Sequence, residues 1–111
     1  MSSRIKGMIS IFDSANRERY RYLREGDIVH YMTMEDYLDA LKIRYGVASP
    51  VKAQVMHKPN RGSFLVRLLE DYKGRKIYHS AGRDMLASPA ELFWDGKTEI
   101  NEELRSALKG N

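Results

Sequence analysis

Cysteine is absent from this 111-residue chain. That excludes disulfide staples and thiolate metal sites, leaves a hydrophobic core to stabilise the fold, and is compatible with a reducing compartment. Long apolar runs are missing too. None approaches the roughly 20 residues that span a bilayer, so no membrane segment is expected. The N-terminus, MSSRIKGMISIFDS, has a basic start and a short apolar patch without a convincing cleavage site. A signal peptide is not expected, and a cytoplasmic protein is. Only three prolines occur, in Ser49-Pro50, Lys58-Pro59 and Ser88-Pro89. With no repeat, linker or low-complexity stretch, residues 1–111 read as one domain whose first six residues are loose. Gly-x-Ser-x-Gly, the phosphate-cradling Gly-x-x-x-x-Gly-Lys and His-Glu-x-x-His are all lacking, so no catalytic or metal signature stands out and no cofactor is implied. Charge of one sign is only mildly in excess. Nineteen Lys and Arg against fifteen Asp and Glu leave +4, which permits attraction to nucleic acid or an acidic protein without dictating it.

The clearest pattern lies mid-chain. Val51, Ala53 and Val55 alternate with Lys52, Gln54 and Met56, and Phe64, Val66 and Leu68 alternate with neighbours that include Arg67. A period of two predicts two strands, each with one face inward. Pro59, Asn60 and Gly62 between them supply turn chemistry. A third strand of this meander is expected over Arg75–Ala81, after a tight connection at Tyr72-Lys73-Gly74. Short strands are expected at Met8–Phe12 and Ile28–Met32. The segment between them reads two ways, as a short helix capped by Ser14 or as a hairpin with Asp13–Asn16 as its turn and Arg19–Tyr22 alternating like a strand, and the hairpin is favoured.

Helical spacing appears twice. Thr33 caps a segment of about 34–45 in which Met34, Tyr37, Leu38, Leu41 and Tyr45 form one stripe and Glu35 and Asp36 suit the first turn; Gly46 follows. A terminal helix of about 99–109, capped near Thr98, carries Ile100, Leu104 and Leu108 as a narrow stripe. That stripe packs on the domain or docks a second copy or another protein. Between these helices, Ser88-Pro89-Ala90-Glu91 reads as a helix start, with Leu92, Phe93 and Trp94 packing inward before Asp95-Gly96. The fold class expected is α+β.

The lead-in Arg24-Glu25-Gly26-Asp27-Ile28-Val29 and the late turn SPAELF resemble an SH3-like small antiparallel β-barrel, over about Arg24 to Trp94. This superfold includes Tudor, KOW and chromo-type modules and MazF-related ribonuclease toxins. The resemblance implies a Gly-Asp turn into the first barrel strand and closure by the turn at Ser88–Phe93. The helix of 34–45 departs from the pattern, as an insertion. The Arg-Pro dipeptide of the MazF-like toxins is not found.

For binding, Arg17, Arg19, Tyr20, Arg21, Tyr22 and Arg24 interleave cations that contact phosphates with rings that stack on unpaired bases. Lys73, Arg75, Lys76 and Tyr78 form a second group, and Lys58 with Arg61 a third at the hairpin tip. The blander reading is a solvated face beside half-buried tyrosines. His30, His57 and His79 are expected to be partly buried and hydrogen-bonded rather than metal ligands. A general acid/base site would need His79, Arg83 and Asp84 around Gly82. The reading reached is a non-enzymatic module whose partner is nucleic acid or an acidic surface on a nucleic-acid-associated protein. A toxin-type small ribonuclease and a protein-only adaptor or inhibitor are the alternatives.

Overall fold

The alternating residues of 51–68 become the middle of an antiparallel sheet. In the computed structural model, which describes residues 7–12, 19–42, 48–60 and 62–109, β3 (Val51–Asn60) pairs with β4 (Ser63–Leu68), Ala53 facing Leu68 and Val55 facing Val66. The apolar set of both strands is buried, whereas Lys52 and Arg67 are exposed. Four more strands complete the sheet: β1 (Ile9–Ser10), β2 (Ile28–Tyr31), β7 (Asp84–Ala87) and β8 (Leu92–Trp94). Its order is β1-β8-β2-β3-β4-β7, antiparallel throughout. A separate two-stranded ribbon, β5 (Tyr72–Lys73) with β6 (Tyr78–His79), follows β4. With the helices α1 (Met34–Lys42) and α2 (Glu102–Leu108) this is an α+β domain, mostly antiparallel sheet.

Several sequence expectations need correction. The third strand on β4 is β7, not Arg75–Ala81, of which only Tyr78–His79 is strand and lies in the small ribbon. Arg19–Tyr22 is a 3-10 turn rather than a strand. Tyr20 and Tyr22 pack against the core from it, and the turn is held by Leu23 N donating to Tyr20 O at 3.1 Å. Residues 13–18, and with them the expected hairpin turn, lie outside the described residues, as do residues 1–6 and 43–47. The SPAELF segment makes a single 3-10 turn, Pro89–Glu91, and then enters β8. Leu92, Phe93 and Trp94 are buried as expected, but as strand residues. Proline at the first position starts the turn. Pairing of His30 with Phe93 and Tyr31 with Leu92 extends the chain beyond it. α2 begins later than expected, with Asn101 as its cap: its side chain accepts from Leu104 N at 2.9 Å. Ile100, Leu104 and Leu108 are buried in the core.

α1 departs furthest. Its buried residues are Asp36 and Ala40, and Tyr37 packs on Phe93 at 5.2 Å between ring centroids. Leu38 and Leu41, expected inward, are 45% and 55% exposed. The cause is Asp36. Its carboxylate accepts from the Tyr72 hydroxyl, and from Arg75 N at 3.3 Å. This bond turns α1 toward the β5–β6 ribbon and its leucines toward solvent. Burial and the bond to Asp36 push the Tyr72 hydroxyl far above its ordinary pKa, so it stays a donor.

Candidate anion-binding cleft

The interleaved arginines and tyrosines do not form one surface with the second basic group. Arg17 and Arg61 lie outside the described residues. Arg19 is half-buried, its Nη1 donating to Ser10 O at 3.3 Å. Tyr20 meets Phe64 edge-on at 6.2 Å, and the Tyr22 carbonyl accepts from Asn101 Nδ2 at 2.8 Å. Arg21 is exposed. Arg24 bridges to Glu103 at 2.8 Å. Lys58 caps this turn, donating to Leu23 O at 2.7 Å and Arg21 O at 3.3 Å. Burial, then the nearby Arg24, lowers its ammonium pKa.

The second group sits at the other end of β3, beyond Lys52, whose carbonyl accepts from Leu69 N. Six residues of strand separate Lys58 from Lys52, about 20 Å. There Arg75 bridges to Asp39 and Lys76 to Glu35, each at 2.9 Å. Lys73 and Tyr78 are exposed and pair across the ribbon. Ala81 N, and after it the Tyr78 hydroxyl, bond Asp71 and hold that carboxyl below its ordinary range. The proposed acid/base trio is divided, because Arg67 engages the Asp84 carboxylate at 2.7 and 3.1 Å.

A third location does gather cations. The turn after β8 and the flank of α2 enclose an open recess of about 310 Å³, lined by Trp94, Gly96, Lys97, Thr98, Glu99, Arg105 and Lys109. One wall is fixed by Asp95. Its carboxylate accepts from Lys97 N (2.8 Å), Thr98 N (2.7 Å) and Thr98 Oγ1 (2.8 Å). The Trp94 indole N–H donates to Thr98 O at 2.8 Å and ties the same wall to the core. Gly96 has φ +80°, a conformation glycine adopts without the strain a side chain brings. The other wall is α2, where Arg105 and Lys109, four residues apart, share a face.

Three cations therefore line one recess. Arg105 reaches Glu99 at 3.8 Å and Glu102 at 3.5 Å, but those acids are 93% and 80% exposed. Such pairs are worth about 0–1 kcal/mol and are readily exchanged for a better anion. Neither Lys97 nor Lys109 has a carboxylate partner among the described residues. Two ammonium groups and a guanidinium around a polar recess suit phosphate or carboxylate oxygens. None of Lys97, Arg105 and Lys109 stands out among the basic groups of the sequence. Their spacing around an Asp-Gly turn and a helix cap was the available signal.

The histidines divide. His57 is exposed, 3.4 Å from Glu25. His30 and His79 each keep a buried Nδ1 with no hydrogen-bond partner, contrary to the expectation that both are hydrogen-bonded. Among the described residues no three His, Asp or Glu side chains are placed to hold a metal. Burial lowers the His30 pKa, opposed by Asp95 and Glu70, and burial then Arg83 lowers that of His79. Both rings are thus favoured neutral in the folded chain. Below the ordinary 6.5 the unfolded chain takes up protons first, and stability declines until the folded rings also titrate. Burial would raise the Asp95 pKa, but the bonds from Thr98 and Lys97 bring it down to about 2 from 3.8. Its contribution, present above 3.8, is lost as pH falls through the folded value. Denaturant unfolding at successive pH values is expected to show two separate declines. A His30→Gln, His79→Gln variant loses the first and keeps the second; a first decline of the same size in that variant refutes the assignment.

Comparison with protein-family models, curated proteins and solved structures finds no match to this chain.

Proposed function

We propose that the chain is a small non-enzymatic binding module that holds a polyanion in the cleft of Lys97, Arg105 and Lys109. A nucleic-acid strand is its first partner and an acidic protein surface its second. The observation that carries this reading is one polar recess with Lys97 on one wall and Lys109 beside the bridged but exchangeable Arg105 on the other, both lysines without carboxylate partners among the described residues. Tyr20 and Tyr22 pack on the core, so contacts to phosphate rather than base stacking supply the affinity.

The same reading takes the sheet as an SH3-like barrel. Supporting it are the Gly26-Asp27 turn into β2, the meander β2-β3-β4-β7, the lone 3-10 turn of 89–91, and the return of β8 to pair with β2.

Titration of a labelled single-stranded oligonucleotide at increasing salt tests the function. Binding is expected to weaken steeply, and Lys97→Ala with Lys109→Ala to reduce the log–log slope by about 1.4, at about 0.7 for each phosphate no longer neutralised. Lys73→Ala with Lys76→Ala is expected to leave it unchanged. Binding of polyglutamate but not of the oligonucleotide would assign the cleft to an acidic protein. No binding of either at low ionic strength removes the proposal.

A further inference from the structure

The cleft leaves the outer stripe of α1 unused. Met34 is half-buried, and Leu38 and Leu41 stand 45% and 55% exposed along one line of the helix. This stripe lies between the side that packs on Phe93 through Tyr37 and the side bridged to the ribbon through Glu35 and Asp39. Ile77, next to Lys76 in that ribbon, is itself 45% exposed.

We infer that α1 is a self-association face, on which two copies of this chain pack their Met34–Leu38–Leu41 stripes antiparallel about a twofold axis near Leu38. Charge decides the occupant. Glu35 and Lys42 flank the stripe seven residues apart, two turns along the same side. Antiparallel pairing about Leu38 sets Lys42 of each copy, which has no carboxylate partner among the described residues, near Glu35 of the other, an exposed carboxylate that it shares with that copy's Lys76. A wholly acidic partner would meet Glu35 as a like charge, and a wholly basic one would meet Lys42. A second copy satisfies both. A nine-residue helix is about 13 Å long, so the contact falls short of the roughly 800 Å² per partner of a stable interface. Association is therefore reversible and concentration-dependent.

Sedimentation of the full chain over rising concentration, at low salt and without nucleic acid, tests this. The expected result is a monomer–dimer equilibrium that Leu41→Lys weakens by roughly tenfold or more, through loss of one buried leucine from each copy. Leu41 is solvent-exposed in the monomer, so thermal unfolding of the variant at high dilution matches the wild type. Lys42→Glu alone weakens the dimer by setting acids face to face, and Lys42→Glu with Glu35→Lys restores it. A chain that stays monomeric at every concentration, or dimerises equally well as Leu41→Lys, overturns the inference.

Discussion

Replacing Asp27 by alanine is expected to destabilise the domain by about 3 kcal/mol and to free α2 from the sheet. Asp27 is 7% exposed. Its carboxylate accepts from Arg24 N at 2.9 Å, Asn101 N at 2.9 Å and Asn101 Nδ2 at 2.6 Å. Asn101 in turn caps α2 and holds the Tyr22 carbonyl. One carboxylate thus connects the lead-in to β2, the 3-10 turn and the terminal helix. Bonds to a charged acceptor are worth about 1.5–3 kcal/mol each, reduced where water replaces the lost partner, which sets the figure above. Asp27→Asn is expected to lose about half as much, because one end of the amide presents a donor to donors. Hydrogen exchange reads the outcome directly: α2 amides lose protection before those of β3 and β4. Equal loss everywhere would mean that Asp27 supports the whole fold without linking α2 in particular. As α2 carries Arg105 and Lys109, polyanion affinity is expected to fall in the same variant.

The second large effect is expected at Gly74. A Cβ there would lie 2.6 Å from Asp36 Oδ2, 2.8 Å from the Ile77 carbonyl oxygen and 2.8 Å from Tyr72 Cε2. The carbonyl is main chain in a tight turn, bonded to Gly74 N at 2.8 Å. The other two atoms belong to a pair already hydrogen-bonded to each other. None is the free end of a flexible side chain, so the strain has no inexpensive release. Overpacking of this kind costs about 1–3 kcal/mol, with the upper end expected for Gly74→Ala and more for Gly74→Val. In thermal melts each kcal/mol lowers Tm by roughly 4–8 °C for a domain of this size. A melt within a degree or so of the wild type would mean that the ribbon moves aside without loss of the Asp36–Tyr72 bond, and nuclear Overhauser contacts between Tyr72 and α1 would then persist.

The two networks show which parts of this molecule local sequence dictates. Val51 to Leu68 alternates with period two and is bounded by turn residues, so its two strands follow from steric alternation alone, and so does the inward face of each. The same holds for the existence of both helices, which cap and dipole preferences specify within a few residues. Which sheet a strand joins, by contrast, depends on partners far along the chain. Arg75–Ala81 and Asp84–Ala87 carry comparable strand-forming residues, and only the pairing of Phe64 with Ala87 and Val66 with Met85 selects the latter for β4. The face that α1 buries was hidden for a similar reason. Helical periodicity pointed to Leu38 and Leu41, but a buried carboxylate bonded to a tyrosine thirty-six residues away outweighed two leucines. Composition supplied the cations, and tertiary packing distributed them: it spread the Arg/Tyr interleave and the second basic group over opposite ends of β3, and brought together Lys97, Arg105 and Lys109. Short-range sterics and backbone hydrogen bonding can be read residue by residue along a chain, whereas burial and ion pairing are decided only when distant segments meet.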